Sequence, residues 1–115
     1  MQWIDEQSDL EALLQEEQAI VLLYVGWSGY SIRVHQKLEV HFQVLPKVPI
    51  FVLNEETALL IPWRGKEIPE TYPLGYGTIF WLQSGRVVDL LLQPYPSTVE
   101  ELMERTHMAF ALQRR

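Results

Sequence analysis

The chain has 115 residues and no cysteine. Disulfides, thiolate nucleophiles and cysteine-based metal sites are therefore excluded together. A chain of this length folds without cross-links, so nothing has to replace them, and the missing thiols say little about compartment. Clustered cations are also missing. The 9 Lys and Arg are scattered, with Arg114–Arg115 the only adjacent pair, against 15 Asp and Glu, for a net charge of −6. Binding to phosphates requires grouped positive charge, so neither nucleic acid nor an anionic membrane is expected as a partner. Acidity of this degree serves solubility and also suits docking on a basic protein. The longest apolar run, residues 19–27, is far shorter than the roughly 20 residues that span a bilayer. The opening Met1-Gln2-Trp3-Ile4-Asp5-Glu6 lacks the basic and apolar regions of a secretory signal, and a cytoplasmic protein is the expectation. Repeats and low-complexity segments are absent.

What the chain does have is 48% apolar and 21% charged residues, the composition of one globular domain across residues 1–115. Residues 2–4 suit a short edge strand. Ser8-Asp9-Leu10-Glu11 has the form of a capping box, and Leu10, Leu13 and Leu14 share a helical face, which predicts a helix over 8–18. Residues 19–25 form a nearly continuous β-prone apolar run, as in a central strand buried on both faces. The turn Gly26-Trp27-Ser28-Gly29-Tyr30-Ser31 then opens a second helix carrying Val34, Leu38, Phe42 and Leu45. Residues 37–44 also alternate as a strand does, but a helix fits the element order better, and Pro46 ends it.

A buried strand is predicted at 48–53, with Asn54 capping a short helix to about 61. Residues 62–76, with Pro62, Pro69, Pro73, Gly65 and Gly75, read as a long loop of the kind that is often functional. Residues 78–82 and 86–92 form a hairpin around Gln83-Ser84-Gly85. Ser97-Thr98-Val99-Glu100 is a second capping box, opening a helix with Val99, Leu102, Met103, Thr106 and Phe110 on one face. The order β-α-β-α-β-α-β-β-α gives an α/β domain whose mixed sheet of four to five strands has helices on both faces.

That order, together with two separated motifs, resembles the thioredoxin family. Trp27-Ser28-Gly29-Tyr30-Ser31 is similar to the family's Trp-Cys-Gly-Pro-Cys, and residues 21–25 to the strand before it. Thr78-Ile79-Phe80-Trp81-Leu82-Gln83-Ser84-Gly85-Arg86 is similar to the hairpin motif. The resemblance covers nearly the whole chain and implies a thioredoxin-like three-layer sandwich. The functional residues do not carry over. Both cysteine positions are serines, Ser28 and Ser31, and oxygen does not perform disulfide exchange. Tyr30 stands for the intervening proline, Leu22 for the buried acid that shuttles protons, and Gln36 for a proline of the following helix. Gly77 stands for the cis-proline facing the active site, so a trans peptide and a reshaped loop are expected there. Two cysteine-to-serine exchanges do not account for Leu22, Gln36 and Gly77.

Other chemistry finds weak support. His35 lies four residues after Ser31, yet no acid is placed to orient it for nucleophilic catalysis. His35, Glu39 and His41 do not share one helical face, so no metal site is expected. Trp63-Arg64-Gly65-Lys66 lacks the strand and helix that a phosphate loop needs. No cofactor is expected.

The family resemblance puts Trp27, Ser28, Gly29, Tyr30 and Ser31 at the carboxyl end of the central strand. It sets Tyr76 and Gly77 opposite, with Trp63 and Tyr72 of the long loop reaching the same side. In the family an extended peptide lies at this edge. The expectation is a non-enzymatic module that binds a protein or peptide through these residues. Two alternatives stay open: a small-ligand or serine-based site on the same turn, and a structural subunit assembling through Met103, Met108 and Phe110 of the last helix.

Overall fold

Strand β2 (Gln18–Tyr24) shows why an unbroken apolar run was needed. Its Ala19, Val21 and Leu23 point into one core and its Ile20 and Leu22 into another, all of them buried. A strand walled on both faces has no position left for polar residues. The computed structural model containing it describes residues 1–41, 48–54, 62–72 and 74–113, without the side chains of 41 and 111–113.

The other elements are β1 (Gln2–Ile4), α1 (Gln7–Leu14), α2 (Gly29–His41), β3 (Ile50–Asn54), β4 (Ile79–Gln83), β5 (Arg86–Leu91) and α3 (Val99–Gln113). The five strands lie in the order β1-β3-β2-β4-β5. β1, β3 and β2 run parallel, β4 runs antiparallel to β2, and β5 antiparallel to β4. On one face Leu10 and Leu13 of α1 pack with Trp63, Ile68 and Tyr72 over Phe51, Leu53, Phe80 and Leu82. On the other, Val34 and Leu38 of α2 and Leu102, Ala109 and Phe110 of α3 cover Val52, Ile79 and Trp81. The three layers and mixed sheet are those expected. Leu22, in the position of the family's acid, is fully buried in the second core. Among the described residues no helix is long and apolar enough to cross a membrane.

Several boundaries differ from expectation. α1 starts before Ser8: the Asp9 carboxylate accepts the backbone N–H groups of Asp5 and Glu6, both at 3.0 Å, and a charged acceptor outcompetes the neighbouring hydroxyl. The same helix stops at Leu14 instead of 18, because Gln18 already pairs with Gln83 of β4. The second capping box is shifted by one residue. Thr98 N–H donates to the Glu101 carboxylate and Glu101 N–H to the Thr98 hydroxyl, while Ser97 is held in a turn by its bond to Pro94 C=O. Phe110 faces the core and Met103 is half-buried, so Met108 is the one exposed member of the expected apolar stripe. The end of α2 at Pro46 and the helix expected after Asn54 lie outside the described residues.

The outer margin of β5 is closed by side chains. Val87 N–H donates to the Glu67 carboxylate at 2.6 Å, and Leu90 N–H to Asp89 at 2.8 Å. Arg105, paired with Asp89, donates to Leu90 C=O at 3.2 Å. With Arg105 38% and Asp89 27% exposed, the ion pair adds only about 0–1 kcal/mol. Its structural effect is to occupy backbone groups that would otherwise be open to another strand.

Candidate functional site

β2 delivers the chain to a tight turn at its carboxyl end, and α2 departs from it. Ser28 is the last residue before the helix, its C=O accepting Ile32 N–H at 3.1 Å. Its hydroxyl does not cap the helix; it donates across to Gly75 C=O. Ser31, fully buried, sits in the first helical turn. Its hydroxyl donates to Val25 C=O at 2.6 Å and accepts Val25 N–H at 3.3 Å. Both serine hydroxyls thus tie backbone together. Among the described residues no base bonds either hydroxyl, which is what a serine nucleophile requires. His35 points elsewhere: its ring centroid lies 5.4 Å from those of Trp3 and Tyr24. Among the described residues no group of three potential metal ligands is found, and the His41 side chain lies outside them.

The 75–77 segment closes over the turn. Gly75 and Gly77 both have positive φ, +84° and +68°. A Cβ on Gly77 would stand 3.1 Å from Ser31 Cα and 3.0 Å from Val34 Cγ2, and one on Gly75 2.9 Å from the Trp27 ring. The described chain contains no cis peptide bond, and the missing Cβ of Gly77 is what lets the segment lie this close to α2. Gly29 is different: a Cβ there would meet nothing within 4 Å.

Above this frame the aromatic side chains gather. Tyr30 stacks on Tyr76 with centroids 5.3 Å apart and meets Tyr95 edge-on at 5.2 Å. Tyr30 is 48% exposed and Trp27 68%. Tyr95 belongs to the β5–α3 connection and was not singled out from sequence, nor were the two cations that hold it. Arg33 donates to the Tyr95 hydroxyl at 2.6 Å and lies over its ring at 5.4 Å. Lys37 donates to the carbonyls of Tyr95 (3.0 Å) and Ser97 (2.5 Å). Residues 30, 33 and 37 follow the helical spacing of one flank of α2, the signal that could have grouped them.

The structure does not bring Trp63 to this edge. Its indole is 1% exposed, packs on Phe80, and donates to Gly85 C=O at 3.1 Å. Gly85 lies in the hairpin turn, at the end of β4 remote from the site. An indole with a partner for its N–H is a good core residue, and Trp63 fills the α1-side core together with Tyr72. Arg64 and Lys66 beside it are exposed, as expected of a solvated loop.

No protein-family model matches the chain, and no curated protein matches it. Solved structures do. The thioredoxin of Fasciola hepatica is 19% identical, with a TM-score of 0.65 over 95% of this chain and 99% of that one. The thioredoxin of Malassezia sympodialis is 12% identical, with a TM-score of 0.67 over 94% and 91%. The oxidised thioredoxin of Plasmodium falciparum is 18% identical, with a TM-score of 0.58 over 94% and 96%. At such identities the likeness establishes the fold: a thioredoxin-like α/β sandwich, here in a chain without cysteine.

Proposed function

We propose that this thioredoxin-like frame, having no thiols, serves as a non-enzymatic module that binds a protein or peptide segment across the former redox edge. Trp27, Tyr30 and Tyr76 supply the contact surface. Gly77 lets the 75–77 segment lie against α2, and Ser28, Gly29 and Ser31 shape the turn beneath. The observation that carries the reading is the exposure of Trp27 and Tyr30, with half-buried Tyr76 stacked on Tyr30, at the carboxyl end of the central strand, where ligands of open α/β sheets bind. Burying one such ring fully contributes about 1.5–3 kcal/mol, and Trp and Tyr are the residues that most often anchor interfaces. The Ser28 bond to Gly75 and the positive-φ glycines hold the surface in place before a partner arrives, which lowers the ordering cost of binding. Nucleic acid is not expected as the partner, given the charge of −6 overall with scattered cations.

The test is an affinity pull-down from cell lysate with the parent protein beside a Tyr30→Ala/Tyr76→Ala variant whose fold is checked by circular dichroism. The expected result is a prey held by the parent and lost by the variant. A specific prey held equally by both would move the interface away from this edge.

A further inference from the structure

We propose that Arg33 and Tyr95 form a carboxylate-receiving subsite at one end of this edge, so that the bound segment places an aspartate or glutamate there; the inference rests on the edge being a peptide-binding surface. Arg33 is exposed. The chain has 15 acidic residues, yet the ion pair found among the described residues is Arg105–Asp89, and no described carboxylate reaches Arg33. A guanidinium has five N–H donors in a planar fork suited to a carboxylate. Among the described residues one of them is used, on the Tyr95 hydroxyl. That hydroxyl accepts, and no described acceptor takes its own proton. A guanidinium and a phenolic proton therefore stand side by side, both able to donate to the same carboxylate.

Lys37 shows by contrast what a committed cation looks like. It is bonded to two carbonyls of the 95–97 loop and lies in the field of Glu101. It fixes the loop that presents Tyr95, and Arg33 is left as the available charge. Continuity with the edge follows from the rings. Arg33 covers Tyr95, Tyr95 meets Tyr30, and Tyr30 stacks on Tyr76, in steps of 5.4, 5.2 and 5.3 Å. Arg33 is thus at most ~16 Å from Tyr76, which an extended chain covers in about five residues. The acidic residue of the partner falls within that distance of the residue lying on Tyr76.

The net charge of −6 opposes this preference. Screening decides between the two. Beyond about 8 Å the protein's overall field is largely lost at physiological salt, whereas a charge-assisted guanidinium–carboxylate contact acts at hydrogen-bond distance. A segment chosen by overall charge would be basic, and one read by Arg33 is acidic.

The experiment selects a phage-displayed library of random 12-residue peptides on the parent, on Tyr30→Ala/Tyr76→Ala, on Arg33→Glu and on Tyr95→Phe, each first shown to melt cooperatively. The expected peptides are lost from the tyrosine double variant and carry Asp or Glu at one register. By fluorescence anisotropy, Arg33→Glu weakens them roughly tenfold or more, and exchanging the peptide's acid for Lys restores binding to that variant. Tyr95→Phe gives a smaller loss. Edge-dependent peptides with no acidic preference, with a basic one, or with affinity unchanged by Arg33→Glu would overturn the subsite and leave the edge standing. Failure to select any peptide sensitive to Tyr30 and Tyr76 removes the edge reading and the subsite with it.

Discussion

At Gly77 the backbone has φ +68°, and the missing Cβ would face Ser31 Cα at 3.1 Å. A backbone atom of a packed helix cannot swing aside. At Gly75 the atom in the way belongs to the exposed Trp27 ring, which can. Gly77→Ala therefore lowers stability by about 1–3 kcal/mol, from left-handed strain with crowding added, and Gly75→Ala costs less while displacing the indole. Urea midpoints of the two variants check this; equal midpoints would mean that the segment does not press on α2 as described. The serines act at the same scale. Each hydroxyl is engaged with a carbonyl, and removing such a buried bond generally costs about 1–3 kcal/mol. Much of this site was legible in the sequence because Trp27, Tyr30 and Gly77 stand in or beside recognisable motifs. Tyr95 was not, because the residues that hold it, Arg33 and Lys37, are 62 and 58 positions away. Trp63 was misread because nothing local to a proline- and glycine-rich loop indicates that its indole finds a carbonyl 22 residues on.

Among the elements, α3 carries a titratable start. Hydrogen bonds from the Thr98 backbone first and its side chain second, helped by the charge of Lys37, hold the Glu101 carboxyl below its ordinary value of 4.5. A carboxyl depressed in the folded state stabilises it fully above 4.5 and loses that contribution as the pH falls through the lower folded value. The first turn of α3 is expected to open in that acid window and not above it. Amide hydrogen exchange at Thr98 and Glu101 reads this directly, and Glu101→Gln should flatten the dependence. An unchanged exchange profile across the window would show that the cap does not hold the turn. The element order was readable because the strands are dense apolar runs. The caps were readable only to within a residue or two: several hydroxyls and carboxylates stand together at each helix start, and only the folded backbone selects among them. The end of α1 was beyond local reading, since it is set by pairing with a strand 65 residues away.

For the whole molecule, the order β1-β3-β2-β4-β5 leaves two sheet margins. β1 has three residues, too few to template much. β5 has six and would be the dangerous one, but Glu67, Asp89 and Arg105 already occupy Val87 N–H, Leu90 N–H and Leu90 C=O. Glu67→Ala/Asp89→Ala is expected to leave the native sheet formed while raising thioflavin-positive aggregation in concentrated solution, and equal aggregation of variant and parent would show that the side chains are not the barrier. Glu67 comes from the long loop and Arg105 from the last helix, so the safeguard is assembled only once the chain is folded. A nascent chain still lacking α3 has its hairpin but not the arginine that covers Leu90. The span between synthesis of β5 and completion of α3 is then when this protein is most exposed to fibril formation and when a chaperone would matter most.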